Sequence, residues 1–138
     1  MSRNVKYPSV VRHVRKLEFD VENPNDQKRV SLLYFGFVMG GNTPQPKGME
    51  VTRREARILD KFEDIILIDD AVPDTKAPDV QIAFRVKTGS VALLLEQPEF
   101  ELLKRYFEQT PWTVKVSRSI VEISDWLSSI QMTDDHQG

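Results

Sequence analysis

Apolar and polar residues alternate strictly from Arg15 to Val21, with Leu17, Phe19 and Val21 on one side and Lys16, Glu18 and Asp20 on the other. A period of two is that of a half-buried strand. Asn23-Pro24 then supplies a helix start: an N-cap side chain, proline at the first helical position, and Asp26 in the first turn. This helix is expected to run to about Met39 and stop at Gly40-Gly41, turning Val30, Leu33, Tyr34, Phe37 and Val38 to the core. A strand is the rival reading, because Leu32–Val38 is aromatic and carries Gly36. The spacing of Ile58, Leu59, Phe62, Ile65 and Ile66 predicts a second helix over Thr52–Ile65, with Thr52 and Glu55 as a capping box.

Alternation returns at Val80–Lys87, a tight turn follows at Thr88-Gly89, and Ser90–Leu95 runs back, which predicts a β-hairpin at about residues 80–95. Ala92–Leu95 is apolar at every position, so both faces of that strand should be covered. Glu96-Gln97-Pro98 opens a third helix with Phe100, Leu103 and Phe107 in its stripe and Leu102 and Tyr106 beside it, ended by Thr110-Pro111. Trp112–Val116 is a candidate short strand. Ser119 and Glu122 make a second capping box for a last helix reaching about Gln131, with Ile123, Leu127 and Ile130 in register and Trp126 alongside. The tail Thr133–Gly138 should be mobile unless a partner or the fold holds it. Gly40–Gly48 and Ala71–Pro78 read as loops. The sum is an α+β fold: about four helices packed on a small, mainly antiparallel sheet.

Composition narrows the class. A chain of 138 residues with 40% hydrophobic residues suits one domain with one core. The absence of cysteine excludes disulfides, thiolate metal sites and a cysteine nucleophile, and fits a reducing compartment. Met1–Lys16 has no apolar stretch of the kind that marks a secretory signal, and the longest apolar run, Ser31–Met39, is too short to span a bilayer. The expected location is therefore a cytoplasm or, given the resemblance below, a virion, with no membrane partner. The formal charge of −2 is unevenly spread: residues 1–62 carry 12 basic and 7 acidic side chains, residues 63–138 carry 7 and 14.

The chain offers little reactive chemistry. Of its two histidines, His136 lies in the tail and His13 in a basic stretch with no nearby acid before Glu18. Asp69-Asp70 and Asp134-Asp135 belong to no alternating acidic loop of the kind that binds a cation. No G-x-S-x-G and no glycine-rich phosphate loop is present. The expectation is a non-enzyme with no cofactor, metal or small-molecule requirement.

Two binding readings remain. Arg53, Arg54, Arg57 and Lys61 on the second helix, followed by a hairpin carrying Arg85 and Lys87, resemble the order of a winged helix and could face nucleic acid. The isoelectric point near 5.7 and the acidic last third oppose that, and helical ion pairs such as Arg57–Asp60 give the bland account of the same residues. Alternatively, Trp112, together with Tyr34, Phe35 and Phe37, could anchor a protein partner or self-association, since a helix over Ser31–Met39 is apolar over more of its circumference than one core covers.

The run Gly48-Met49-Glu50, Arg54 and Arg57–Glu63, then Val91–Glu96, Phe100, Leu103-Lys104 and Trp112, resembles small, mostly uncharacterised proteins of tailed bacteriophages. The resemblance covers about half the chain and departs over Lys6–Thr43. It implies a phage origin and a role as a virion or assembly component (head, neck or tail) or as an early factor acting on a host protein. It assigns no functional residue. The combined expectation is non-enzymatic protein recognition, with a nucleic-acid-binding or host-transcription-modulating factor as the alternative.

Overall fold

The computed structural model describes residues 10–42, 47–68 and 82–137, with side chains described over 13–134 of these. Its elements are β1 (Val10–Asp20), α1 (Pro24–Gly41), α2 (Met49–Ile65), β2 (Ile66–Leu67), β3 (Ala83–Phe84), β4 (Ser90–Glu96), α3 (Gln97–Gln109), α4 (Ser117–Ser129) and β5 (Met132–Gln137), with a short 3₁₀ turn at Val114–Val116. The fold is α+β, with four helices and a small antiparallel sheet among the described residues.

α1 begins as its sequence dictates. The Asn23 side chain accepts from the Asn25 N–H at 2.9 Å, and Pro24 occupies the first turn, where its missing N–H is not needed. From Val30 onward the helix is buried on nearly every side, which is why its apolar positions show no clean stripe. Helix, not strand, is the outcome, and the glycines explain how α3 packs against it so closely. A Cβ on Gly40 would lie 1.8 Å from the Tyr106 carbonyl oxygen, and one on Gly36 would lie 2.7 Å from the Trp112 ring. These glycines seat α3 against α1 more than they end the helix. Thr110 Oγ1 sits within hydrogen-bonding distance of both the Gly36 and Tyr106 carbonyls, and Gln109 Nε2 donates to Gly40 O.

The main sheet has the order β4-β1-β5 and is antiparallel throughout; β2 and β3 form a separate two-stranded pair. The hairpin expected at about residues 80–95 does not form. β3 pairs with β2, and β4 pairs instead with β1, from Val14 opposite Glu96 to Asp20 opposite Ser90. Gly89, at φ +89°, turns the chain into β4, and its carbonyl accepts from Val21 N–H at 3.1 Å. β1 offers β4 the longer apolar partner. Leu17, Phe19, Leu93 and Leu95 are all fully buried, and they join Val30, Leu33, Phe37, Ile58, Phe62, Leu103, Phe107 and Leu127 in one core.

Other boundaries also shift. α2 starts at Met49 with Gly48 at its N-cap, so Thr52 lies inside the first turn and its hydroxyl donates back to the Gly48 carbonyl. Thr52 and Glu55 therefore form no capping box. α4 starts at Ser117, which likewise places Ser119 inside the helix, and it ends at Ser129. Residues 114–116 coil into a 3₁₀ turn in place of the short strand. The C-terminal segment is held by the fold as β5, paired from Met132 opposite Arg15 to Gln137 opposite Val10. The loop Ala71–Pro78, the pair Asp69-Asp70 and the start of the expected hairpin at Val80-Gln81 lie outside the described residues.

Candidate functional site

Of the basic residues of α2, Arg53 and Arg57 stay exposed one turn apart, the Arg57 side chain at 60%, while Arg54 and Lys61 are less exposed and held in ion pairs. Arg54 pairs with Glu50 at 3.3 Å. Lys61 and Arg57 turn toward the first turn of α3, where Glu99 Oε1 lies 2.5 Å from Lys61 Nζ and Glu99 Oε2 lies 3.9 Å from Arg57 Nε. Glu99 is itself buried, and it accepts from the Glu96 N–H in a reciprocal capping box with Glu96. Arg85 does not project from a hairpin tip either; its guanidinium donates to the Glu63 carbonyl at the end of α2. The winged-helix arrangement is thus absent from the described residues.

The expected aromatic surface packs against the core, with Phe35 and Phe37 buried and Tyr34 half-buried. Phe35 is buried, with its ring 5.6 Å from that of Trp112; Trp112 is half-buried and donates from Nε1 to the Phe107 carbonyl at 2.8 Å. Tyr34 packs edge-on against Phe62, and burial, reinforced by the Glu63 charge, raises the pKa of its hydroxyl. Between them α3 and Trp112 cover the circumference of α1 that the sequence leaves in excess.

A cluster that the sequence does not signal joins the C-terminal end of α1, the first half of α2 and the end of α3. Lys47 Nζ donates to Gly41 O at 2.5 Å and Glu55 Oε2 at 2.7 Å, and the Tyr106 hydroxyl donates to the same Glu55 oxygen at 2.6 Å. Burial, then the Glu55 carboxylate, pushes the Tyr106 hydroxyl up to about 12. Only the 51-residue separation of Glu55 from Tyr106 hides this pair from a local reading.

The second arrangement is the ribbon formed by β1 and β5. Opposed residues in an antiparallel ladder alternate between exchanging both main-chain bonds and exchanging none. The Val21 N–H bond to Gly89 fixes the phase, so odd-numbered residues of β1 bond toward β4 and even-numbered ones toward β5. Glu96 agrees: opposite Val14, its N–H turns away from β1 and meets Glu99. Across the other ladder, Thr133, Asp135 and Gln137 bond toward Val14, Arg12 and Val10, while the main-chain groups of Met132, Asp134 and His136 point outward. No described strand lies beyond β5. Val11 and His13 similarly extend past the end of β4, whose pairing stops at Val14. His13 Nδ1 and Asp134 Oδ1, facing each other across the ribbon, are 2.7 Å apart, and Gln131–Asp134 is exposed.

No protein-family model matches this chain, and neither curated proteins nor solved structures give a match. Among the described residues no helix is long and apolar enough to cross a membrane.

Of the residues singled out from the sequence, then, Arg57 and Lys61 come together around Glu99. Phe35 and Trp112 come together in one ring contact. Arg53, Arg54 and Tyr34 join neither group. The ribbon escapes a sequence reading because Met132–Gln137 has no apolar alternation; its strand character comes from main-chain pairing with β1.

Proposed function

We propose that this chain is a non-enzymatic protein-recognition module that takes up an extended segment of a partner along the outer edge of β5. By the sequence resemblance, this would occur in the assembly of a bacteriophage head, neck or tail. The observation that carries the reading is the open ladder: every second main-chain group of β5 points away from β1 with no described strand to meet it. Main-chain bonding supplies affinity in strand addition, and side chains on alternate positions supply selectivity. Natural proteins otherwise shorten, twist or cover such edges. The nucleic-acid alternative is weakened by Lys61 turning to Glu99 and by Arg85 folding back on α2.

A peptide array tiling the proteins encoded beside this one tests the reading. The expected result is binding of one or a few extended segments, weakened at least tenfold by His136→Pro, which removes an outward N–H and leaves the β1 ladder bonded. Asp135→Pro serves as the comparison, since it breaks an inward bond and should lower stability as well. Binding that His136→Pro leaves unchanged, or salt-sensitive binding to DNA alone, would overturn the reading.

A further inference from the structure

The cavity beside Lys47 has a volume of about 280 Å³ and an apolar wall formed by Phe37, Val38 and Leu59. At its rim an ammonium group is held in three ways. Gly41 O and Glu55 Oε2 accept its protons at 2.5 and 2.7 Å, and the Tyr106 ring centroid lies 5.6 Å away. A carbonyl, a carboxylate and an aromatic ring are the groups that recognise a primary ammonium, through hydrogen bonding, charge and the ring quadrupole. The ammonium is the chain's own, from a residue on the segment before α2 whose side chain keeps 27% of its surface exposed. With Lys47 in place, the Glu55 side chain is 17% exposed and Tyr106 5%. Glu55 and Tyr106 are fixed to each other independently of Lys47, by the hydroxyl bond to the carboxylate. The receptor half of the site is therefore preorganised, and the occupant comes from the rim. A lining that is mostly apolar with a few convergent polar groups is the usual form of a small-ligand site.

We propose that this cavity binds a primary alkylammonium, with its hydrocarbon body along Phe37, Val38 and Leu59, and that Lys47 is a built-in occupant which such a ligand displaces. The ammonium could belong to a free amine or to a lysine side chain of another protein; the recognising chemistry is shared.

The experiment is a chemical-shift titration of the full chain and of its Lys47→Ala variant with n-butylammonium, n-butanol and Nα-acetyl-lysine amide. Lys47→Ala is expected to bind butylammonium at least tenfold more tightly than the unmodified chain and than it binds butanol, with the largest shifts at Gly41, Glu55 and Tyr106. Adding Glu55→Gln should remove that preference over butanol. Equal binding of the lysine amide would point to a protein lysine as the natural ligand, and its exclusion to a free amine; either supports the site. If Lys47→Ala does not fold, Lys47→Gln keeps the stem, removes the charge and carries the same expectation. A folded variant that shows no shifts at these residues, or that binds butanol as well as butylammonium, overturns the proposal.

Discussion

Gly40 limits how closely α1 and α3 approach. An added methyl would lie 1.8 Å from a main-chain oxygen, which cannot rotate away, so Gly40→Ala must separate the two helices. Overpacking of this kind costs about 3 kcal/mol or more when the backbone has to move. At Gly36 the nearest atoms belong to the Trp112 and Phe107 rings, so Gly36→Ala should cost less, about 1–3 kcal/mol. A methyl added at Gly48 would meet nothing within 4 Å, and Gly48→Ala should change stability by no more than about 1 kcal/mol through its N-cap role. Urea denaturation of the three variants checks the order. Tyr106 adds a pH dependence. Its hydroxyl ionises near 10 when unfolded and at about 12 in the folded chain, because burial and the Glu55 carboxylate disfavour the phenolate. The folded form therefore keeps the proton longer, and the associated stability is complete below pH 10 and lost as pH rises toward 12. Tyr34 shifts in the same direction. Denaturation midpoints measured between pH 9 and 11.5 should fall with pH, and Tyr106→Phe should flatten that slope.

At the scale of elements, punctuation was legible in the sequence and partnership was not. Pro24 and Pro98 mark true helix starts, and Thr110-Pro111 a true end, because proline acts on its own few residues. The alternation over Val80–Lys87 announces extended chain without saying which strand it meets. β1 is long enough to take β4 on one side and β5 on the other, and it resolves the pairing against the local hairpin. Thr52 with Glu55 and Ser119 with Glu122 have capping-box spacing, yet each first residue lies inside a helix that begins earlier. The real box pairs two glutamates, Glu96 and Glu99, a combination outside the usual serine or threonine pattern. The same distance effect governs the basic residues: Lys61 is readable as a cation on α2, but its partner lies 38 residues on. Glu99 thus ties α2 to α3 while capping α3. Glu99→Ala removes the Glu99 half of the capping box and leaves Lys61, with its side chain 26% exposed, without its carboxylate, for a loss of about 2–3 kcal/mol, less than a fully buried pair would cost. Glu99→Gln retains an acceptor for the Glu96 N–H and should lose less. Chemical denaturation of both variants separates the cap from the charge.

For the molecule as a whole, the arrangement divides a packed body from a ribbon at its margin. Helices α1, α2 and α3 share one core with Leu17, Phe19, Leu93 and Leu95. β5 is joined to this body through β1, with no described strand on its outer edge. The ladder phase makes that division measurable residue by residue. The amides of Thr133, Asp135 and Gln137 bond toward β1 and should exchange with solvent deuterium slowly, whereas those of Met132, Asp134 and His136 point outward and should exchange at close to unprotected rates in a dilute monomer. Occupation of the edge by a partner strand must reverse this for the second set without altering the first, because a new strand can bond only to the outward groups. Self-association through β5 would produce the same protection but would depend on the protein's own concentration. An antiparallel pair centred on either aspartate would also place Asp134 opposite Asp134 or Asp135 opposite Asp135 of the second copy. Like charges in direct cross-strand opposition are destabilising, so these two registers are disfavoured. Exchange at a tenfold range of protein concentrations, with and without a binding peptide, distinguishes these cases. Alternating protection that does not depend on concentration and disappears only when the peptide is added is the expected result. Uniform protection across all six amides in the free chain would mean that the edge is already covered.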